Sequence, residues 1–239
     1  MDATVWPDEN PTVPSIVSIP PCTAIIVAAG SSRRMGFDKL SAPLGGVPVL
    51  RRTLDAFLAA DCISFIIIVC PEERWELLGD EPFRKPVIRV DGGKNRQDSV
   101  AQGLTALPSG TSLVAVHDGA RPLVHPDDIT RCVAEASGAC QAATLARRVT
   151  ETMKRSDTEG FCIDSVSREN LWFMETPQVF SSALLFHAYE YVMERNIAIT
   201  DEVSAAQAAN AQGKFVESTH PNLKITTPAD LSLAEALLR

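Results

Sequence analysis

The chain has 239 residues, of which 45% are hydrophobic and 22% are charged, and its formal net charge is −8. This length and composition are typical of one globular domain, and the acidic balance argues against nucleic acid or an anionic membrane surface as a partner. The longest apolar runs are far shorter than the ~20 residues that a membrane-spanning helix needs.

The first twenty residues are acidic and rich in proline, without the basic start and apolar middle of a secretory signal. We therefore expect a disordered tail over residues 1–20 and a single domain over residues 21–239. The six cysteines include no C-x-x-C pair, and several lie in apolar runs. This pattern indicates reduced thiols in a cytoplasmic protein.

Apolar runs and helical periodicities alternate along the first half of the chain. The predicted strands are Ala24–Ala28, Ser64–Cys70, Val87–Val90, Leu113–Val116 and Gln141–Ala146. Apolar residues at helical spacing lie between them, in the segments 50–58, 100–107 and 129–136. Alternation of this kind predicts an α/β fold with a mostly parallel sheet and helices on both faces.

The alternation stops after Ala146. Two short extended pieces, around TETMKR and FCIDSV, are separated by SDTEG, which predicts a hairpin arm over about residues 147–178. Helical patterns resume at Ser181–Arg195 and Asp201–Gln212, and a final strand–helix unit is predicted at Leu223–Leu238.

The loop after the first predicted strand combines small residues with fixed positive charge. Gly30 and the serines after it leave backbone N–H groups accessible, and Arg33, Arg34 and Lys39 follow. Together they could form a cradle for a polyphosphate, although a solvated basic loop is an alternative. The dinucleotide pattern G-x-G-x-x-G fails at Ser32 and Met35, which disfavours an NAD-linked oxidoreductase.

Two further loops follow predicted strands at the edge where open α/β sheets bind ligands. In DGGKNRQDSV, Gly92 and Gly93 would let a flat ring approach the backbone closely, and Arg96 and Ser99 could hydrogen-bond to the edges of that ring. A β-turn followed by a helix cap is an alternative explanation of the same residues. In HDGARP, Asp118 could bind Mg²⁺, or it could pair with the nearby Arg121.

Seven blocks in this order resemble the 2-C-methyl-D-erythritol 4-phosphate cytidylyltransferases of the non-mevalonate isoprenoid pathway. They are IIVAAGSSRRMGFDK, DGGKNRQDSV, VHDGARP, ETMKR, TPQVF, ITDE and LKITTPADL. The resemblance implies a Rossmann-like nucleotidyltransferase sheet with a protruding hairpin that serves as a dimerisation arm. It also implies transfer of CMP from CTP to 2-C-methyl-D-erythritol 4-phosphate, giving 4-diphosphocytidyl-2-C-methyl-D-erythritol and pyrophosphate, with Mg²⁺ or another divalent cation.

The resemblance also assigns residues to roles. It implies that Arg34 and Lys39 are catalytic and that Asp118 lies near the metal. The residues that it places on CTP are Ala28, Ala29, Gly30, Gly92, Gly93, Ser99 and Asp118. Those that it places on the acceptor substrate are Thr152, Arg168, Thr176 and Lys224, with Arg168 serving the second subunit of a homodimer.

Two departures from the family pattern, Glu151 and Pro221, border the acceptor side. A ribitol 5-phosphate cytidylyltransferase therefore remains an alternative, because only the acceptor pocket would separate the two enzymes. A nucleotide-binding module without turnover is a further alternative. The presence of both Arg34 and Lys39 disfavours it, since binding alone does not need two cations at the α-phosphate.

Overall fold

The computed structural model describes residues 19–30, 36–79 and 82–238. Most of the predicted tail and the two arginines of the first loop, Arg33 and Arg34, lie outside these ranges. The strands are β1 (Cys22–Val27), β2 (Pro43–Leu44), β3 (Val47–Pro48), β4 (Ile63–Val69), β5 (Val87–Val90), β6 (Leu113–Asp118), β7 (Ala142–Arg148), β8 (Met153–Ser156), β9 (Cys162–Val166), β10 (Trp172–Ser181) and β11 (Lys214–Glu217). The α-helices are α1 (Val49–Ala59), α2 (Glu72–Trp75), α3 (Arg96–Thr105), α4 (Pro126–Ala136), α5 (Ser182–Glu194), α6 (Glu202–Ala208) and α7 (Pro228–Leu237).

Seven of these strands form one mixed sheet in the order β11-β7-β10-β6-β1-β4-β5. Strand β10 runs antiparallel to both of its neighbours, and the other neighbouring pairs are parallel. The mostly parallel α/β sheet predicted from the alternation is therefore confirmed. Because β10 is reversed, its first half lies at the edge of the sheet where β6 ends.

The central strands divide their side chains between two apolar layers. On β1, Ala24 and Ile26 face one layer and Ile25 faces the other, as the period of two in a strand requires. Helices α1, α4 and α7 cover the first face, and α3, α5 and α6 cover the second. Complete burial of each isoleucine contributes roughly 1.5–3 kcal/mol, so these strands anchor the loops that follow them.

The helices near the carboxyl edge begin with side-chain caps. Asn95 accepts a hydrogen bond from the backbone of Asp98 at the start of α3, and Asp201 does the same for Ser204 at the start of α6. Caps of this kind satisfy otherwise unpaired N–H groups and define where each helix begins. None of the helices in the described part of the chain is long and apolar enough to cross a membrane.

The hairpin occupies only the middle of the predicted arm. Strands β8 and β9 pair with each other in a separate two-stranded sheet, whereas residues 172–178 belong to β10 of the main sheet. The apolar side chains Phe161 and Ile163 of the hairpin are 68% and 60% exposed.

The predicted strand at the start of Leu223–Leu238 is wrong, although the helix after it is present as α7. The backbone from Leu223 to Thr226 forms no sheet pairing. Ile225 is nevertheless fully buried, because its backbone N–H donates to the carbonyl of Ala120 and its side chain enters the core. The edge strand beside β7 is instead β11, which the sequence analysis missed.

Candidate active site

Polar side chains from distant parts of the chain meet at the carboxyl edge of the main sheet. Asp118 is the last residue of β6, and Thr176 of the reversed strand β10 lies beside it. Lys224 reaches the same point from the irregular segment before α7. The fold thus brings together three of the residues predicted from the sequence.

Three cationic side chains surround the carboxylate of Asp118. Arg96 Nε lies 3.0 Å from Oδ1, Lys224 Nζ lies 2.7 Å from Oδ2, and Arg121 Nε lies 3.8 Å from Oδ2. Burial by itself would raise the pKa of Asp118, but Arg96 and Lys224 hold that pKa well below its usual range. Asp118 is therefore ionised throughout the physiological pH range.

Arg96 is held by a second, fully buried carboxylate. Its Nη1 and Nη2 atoms donate to the two oxygens of Glu202 at 2.7 and 3.0 Å, and the hydroxyl of Tyr189 donates to the same carboxylate. Such a bidentate pair fixes the plane of the guanidinium. Burial and the nearby Glu202 both raise the pKa of Tyr189, so its hydroxyl keeps the proton that it donates.

A chain of hydrogen bonds orients Thr176 through a neutral histidine. The backbone N–H of Asp118 donates to Thr176 Oγ1, which lies 2.9 Å from His117 Nδ1, and His117 Nε2 faces the carbonyl of Arg121. Burial lowers the pKa of His117 to about 3, so the ring is neutral. The carbonyl of Arg121 can only accept, which places the ring proton on Nε2 and directs the Thr176 hydroxyl proton toward Nδ1. Toward a ligand, the Thr176 oxygen can then only accept.

Lys39 approaches the cluster from the first loop. Its Nζ donates to the carbonyl of Ile225 at 2.7 Å, one residue beyond Lys224. The hydrogen bond therefore places the side chain of Lys39 next to the backbone segment that carries Lys224. Arg34, the other predicted catalytic residue, lies outside the described residues.

The loop before α3 packs directly against the loop after β1. A Cβ atom on Gly92 would lie 2.2 Å from the Cβ of Ala29, and one on Gly93 would lie 2.2 Å from the Cβ of Asp98. Ser99 Oγ accepts from the backbone of Gly93 and donates to the carbonyl of Asn95. Gly92 thus allows contact between the two loops, Gly93 allows its own loop to turn closely against the start of α3, and Ser99 stabilises that turn.

Two predicted acceptor residues lie away from this cluster. Thr152 and Arg168 are exposed at the base of the hairpin, where Arg168 donates to the carbonyl of Thr150. Within the part of the chain that the structure describes, no hydrogen bond or ion pair joins either side chain to Asp118 or its partners.

Two adjoining cavities open beside Asp118. The smaller, of about 220 Å³, is lined by Arg96, Asp118, Arg121, Thr176, Asp201 and Lys224, among others. The larger, of about 560 Å³, shares Arg121 and Lys224 with it and extends to Arg147, Phe173 and Pro221. Arg121 Nε is buried and has no hydrogen-bond partner within the described residues, although its Nη atoms donate to the carbonyls of Asn222 and Met174.

Asp118 fits a single-carboxylate magnesium site. Each of its oxygens accepts one N–H, which leaves lone pairs on a hard, ionised ligand. The neighbouring carboxylates are engaged elsewhere, since Glu202 binds Arg96 and Asp201 caps α6. A divalent ion here would take its remaining ligands from phosphate oxygens and water, as Mg²⁺ commonly does.

Sequence reasoning missed the role of Glu202 and the burial of Arg74, whose side chain is only 9% exposed. Glu202 lies in the block ITDE, which carries the family resemblance, but its partner Arg96 is 106 residues earlier. Arg74 lies in the charged stretch PEERWE, where nothing in the local pattern distinguishes it from a solvated residue.

Comparisons with known proteins identify the family to which the chain is similar. The family model described as "IspD: 2-C-methyl-D-erythritol 4-phosphate cytidylyltransferase" matches residues 22–239. A protein of that name from Pelotomaculum thermopropionicum is 39% identical, over 90% of this chain and 93% of its own length. A "Bifunctional enzyme IspD/IspF" from Desulforudis audaxviator is 45% identical over 90% of this chain, which spans 56% of that longer relative.

A solved structure has the same architecture. The crystal structure of 2-C-methyl-D-erythritol 4-phosphate cytidylyltransferase from Thermus thermophilus superposes with a TM-score of 0.76 and 31% identity, covering 91% of this chain and 98% of that one. The cationic edge, the reversed strand β10 and these matches lead to one conclusion. The chain belongs to the 2-C-methyl-D-erythritol 4-phosphate cytidylyltransferase family.

Proposed function

We propose that this protein transfers CMP from CTP to 2-C-methyl-D-erythritol 4-phosphate, releasing pyrophosphate, in isoprenoid biosynthesis. The observation that carries the proposal is the convergence of Lys39, Lys224, Arg96 and Arg121 on the Asp118 edge of an otherwise acidic protein. A site with this surplus of positive charge suits two phosphorylated substrates. Membership of the family supplies the identity of the donor and of the acceptor.

The reaction joins an oxygen of the acceptor phosphate to the α-phosphorus of CTP. As that bond forms, the bond from the α-phosphorus to the bridging oxygen of the β-phosphate breaks, and its electron pair leaves with pyrophosphate. A phosphate monoester is already anionic at neutral pH, so the attacking group needs no strong base. The site must instead stabilise the charge around the five-coordinate phosphorus.

The cations are assigned to that task. Lys39 and Arg34 contact the triphosphate, and the backbone of Ala28, Ala29 and Gly30 forms the cradle around it. Gly92, Gly93 and Ser99 shape the turn against which the cytidine lies. Asp118 would hold a divalent ion, which would supply charge neutralisation at the phosphate oxygens.

The acceptor is assigned to the cavities beside Asp118. Lys224 and the buried, incompletely paired Arg121 provide cations for its phosphate, and Thr176 accepts a hydrogen bond from a hydroxyl. Thr152 and Arg168 act on the acceptor site of a second subunit, since they lie away from the cluster in their own chain. An isolated two-stranded hairpin is marginally stable in water, and the exposed Phe161 and Ile163 provide apolar surface for a dimer contact.

We also propose that the protein works in the cytoplasm. All six cysteines lie within the described residues, and all of them are free thiols. Cys22, Cys70 and Cys132 are buried, and burial raises the pKa of each, so they are unreactive. Free thiols are typical of a reducing compartment.

Incubation of the purified protein with [α-³²P]CTP, Mg²⁺ and one acceptor at a time tests this function. We expect pyrophosphate and a labelled cytidine diphosphate product with 2-C-methyl-D-erythritol 4-phosphate. Ribitol 5-phosphate should give kcat/KM lower by at least about tenfold, corresponding to ~1.4 kcal/mol of discrimination. Equal or faster turnover of ribitol 5-phosphate would reassign the acceptor, and binding of CTP without turnover of either would indicate a non-catalytic module.

A further inference from the structure

A buried arginine lies behind the proposed CTP loop. Arg74 belongs to the short helix α2, which follows β4 at the carboxyl edge of the sheet, and its side chain is only 9% exposed. A guanidinium buried to this extent is costly unless its N–H groups are paired. The groups that pair with the Arg74 guanidinium therefore indicate why it is buried here.

Every side-chain hydrogen bond that Arg74 makes within the described residues goes to the first loop. Nε and Nη2 pair with the two carboxylate oxygens of Asp38 at 2.8 and 3.0 Å. Nη2 also donates to the carbonyl of Gly30 at 2.8 Å, and Nη1 donates to the carbonyl of Ala28. The guanidinium of Arg74 thus contacts Ala28 and Gly30 at the start of the loop and Asp38 near its end.

These contacts constrain atoms to which we have assigned a role in binding CTP. Consecutive Cα atoms are 3.8 Å apart, so fixing Asp38 restricts where the Lys39 side chain can begin. In a trans peptide the C=O and N–H groups point in opposite directions. Holding the Ala28 carbonyl therefore turns the N–H of Ala29 away from Arg74 and toward the open side of the loop.

We propose that Arg74 is a positioning residue for the CTP-binding loop, acting through Asp38, Ala28 and Gly30 to place Lys39 and the backbone donors around the triphosphate. Arg74 itself does not touch the substrate. This role rests on the proposed function, because it concerns the alignment of the same donor. Under this proposal, helix α2 contributes to the alignment of CTP in addition to packing against the core.

The test compares Arg74→Lys, Arg74→Ala and Asp38→Asn with the unaltered protein. Lysine keeps the charge but cannot hold a carboxylate and two carbonyls at once. Arg131→Ala is the matched control, because Arg131 also links an aspartate, Asp128, to a backbone carbonyl, that of Glu217 in β11, at the edge of the sheet opposite to β5. For each protein, kcat, KM for CTP, KM for the acceptor and the melting temperature are measured.

We expect the Arg74 variants to lose about 10²-fold in kcat, the effect of a misplacement of about 1 Å at a reacting centre. KM for CTP should rise about tenfold, as for one lost hydrogen-bonded contact to a charged group, while KM for the acceptor stays within twofold. Asp38→Asn should show the same selectivity with smaller changes. Arg131→Ala should lower the melting temperature without changing either KM.

Several results would overturn the proposal. A purely structural role for Arg74 lowers the fraction of active protein, so kcat falls and both KM values stay constant. Unchanged kinetics in folded Arg74→Lys and Asp38→Asn would contradict it equally, and these two variants decide the matter if Arg74→Ala does not fold. Failure of the proposed function is distinct, because the unaltered protein would then produce no labelled product.

Discussion

Asp118 carries the negative charge around which the site is organised. Glu202 neutralises Arg96, so that Asp118 is the carboxylate paired with both Arg121 and Lys224, and Glu175 is a second negative charge near Arg121. The remaining positive charge favours a bound polyanion. Such charges act most strongly where burial limits screening by water.

Removing the ammonium group of Lys39 should impair the chemical step. We expect Lys39→Ala, and likewise Arg34→Ala, to lower kcat by about 10²–10³, as for loss of one preorganised charge donor. Lys214→Ala serves as the control, since Lys214, on the edge strand β11, pairs with Glu135 of α4. Steady-state kinetics at saturating CTP measure the effect. If one of these variants keeps a kcat near that of the unaltered protein, the residue replaced in it is not catalytic.

His117 should make stability depend on pH. Its pKa is about 3 in the folded protein because the ring is buried, against an ordinary value of ~6.5. Between these values the unfolded chain binds a proton that the folded one does not. The free energy of unfolding should therefore fall by ~1.4 kcal/mol per pH unit as pH decreases from 6.5 toward 3. Above pH 6.5, His117 should contribute no further change with pH.

Urea denaturation between pH 5 and pH 8 measures this slope. In His117→Gln, whose amide can still contact Thr176 and Arg121, the slope below pH 6.5 should decrease by the equivalent of one proton. His187→Gln, at an exposed position on α5, provides the control for replacing a histidine by glutamine. A slope in His117→Gln equal to that of the unaltered protein would mean that His117 binds a proton as readily in the folded state as in the unfolded chain.

At the scale of elements, the sequence predicts strands well where both faces of a strand are buried. β1 and β4 appear as continuous apolar runs because two helical layers cover them. β10 is harder to predict, because the polar residues Glu175, Thr176 and Gln178 interrupt its apolar pattern where it borders the site, and it contains Pro177. β11 buries only Val216, so its pattern resembles a loop.

The predicted strand at Leu223 failed for a related reason. Buried β-branched residues favour a strand, yet Ile225 is buried under the carboxyl edge of the sheet without a strand partner. For the site, loops after strands identified Asp118 and Lys39. The sequence could not identify Arg74, whose partners Asp38 and Gly30 lie 36 and 44 residues away. Contacts at that separation depend on how the elements pack.

Contact between the first two loops gives a prediction at this scale. Gly92→Ala places a Cβ 2.2 Å from that of Ala29, so the loops must separate. We expect a loss of about 1–3 kcal/mol in the free energy of unfolding, as for overpacking, together with a higher KM for CTP.

A compensating substitution sharpens the test. Ala29→Gly removes the opposing Cβ, so the double variant Ala29→Gly/Gly92→Ala should recover most of the lost stability. Gly213→Ala is the control, since the nearest atom to its Cβ would lie at 3.7 Å, an ordinary contact. No recovery in the double variant would locate the strain elsewhere, for example at Ser99, whose Oγ would lie 3.2 Å from the new Cβ.

At the scale of the whole molecule, the proposed dimer divides each acceptor site between two chains. If Arg168 serves the partner's site, Arg168→Ala and Lys39→Ala should each be nearly inactive but complement each other when mixed. A mixed dimer has one site with both residues intact and one site that lacks both. Random exchange makes half of the dimers mixed, so about a quarter of normal activity should return.

Co-expression of the two variants with different affinity tags provides the measurement. Tandem purification isolates mixed dimers, whose activity should reach about half of the normal value because one of the two sites is intact. Mixing Lys39→Ala with Asp118→Asn is the control and should restore nothing, since both residues belong to the same chain's site. Mixed dimers of the first pair without activity would place Arg168 outside the site.

The hydrogen bond from Lys39 to the carbonyl of Ile225 has a consequence for protein synthesis. It joins residues 186 positions apart, and the pair between Lys224 and Asp118 spans 106. A ribosome adds about 5–20 residues per second, so the first loop exists for many seconds before its partner emerges. A nascent chain can therefore pair β1 with β4 and β6 early, but it acquires a complete substrate site only after Ile225 has left the ribosome. Premature termination before Lys224 should yield chains that keep much of the sheet and bind neither substrate productively.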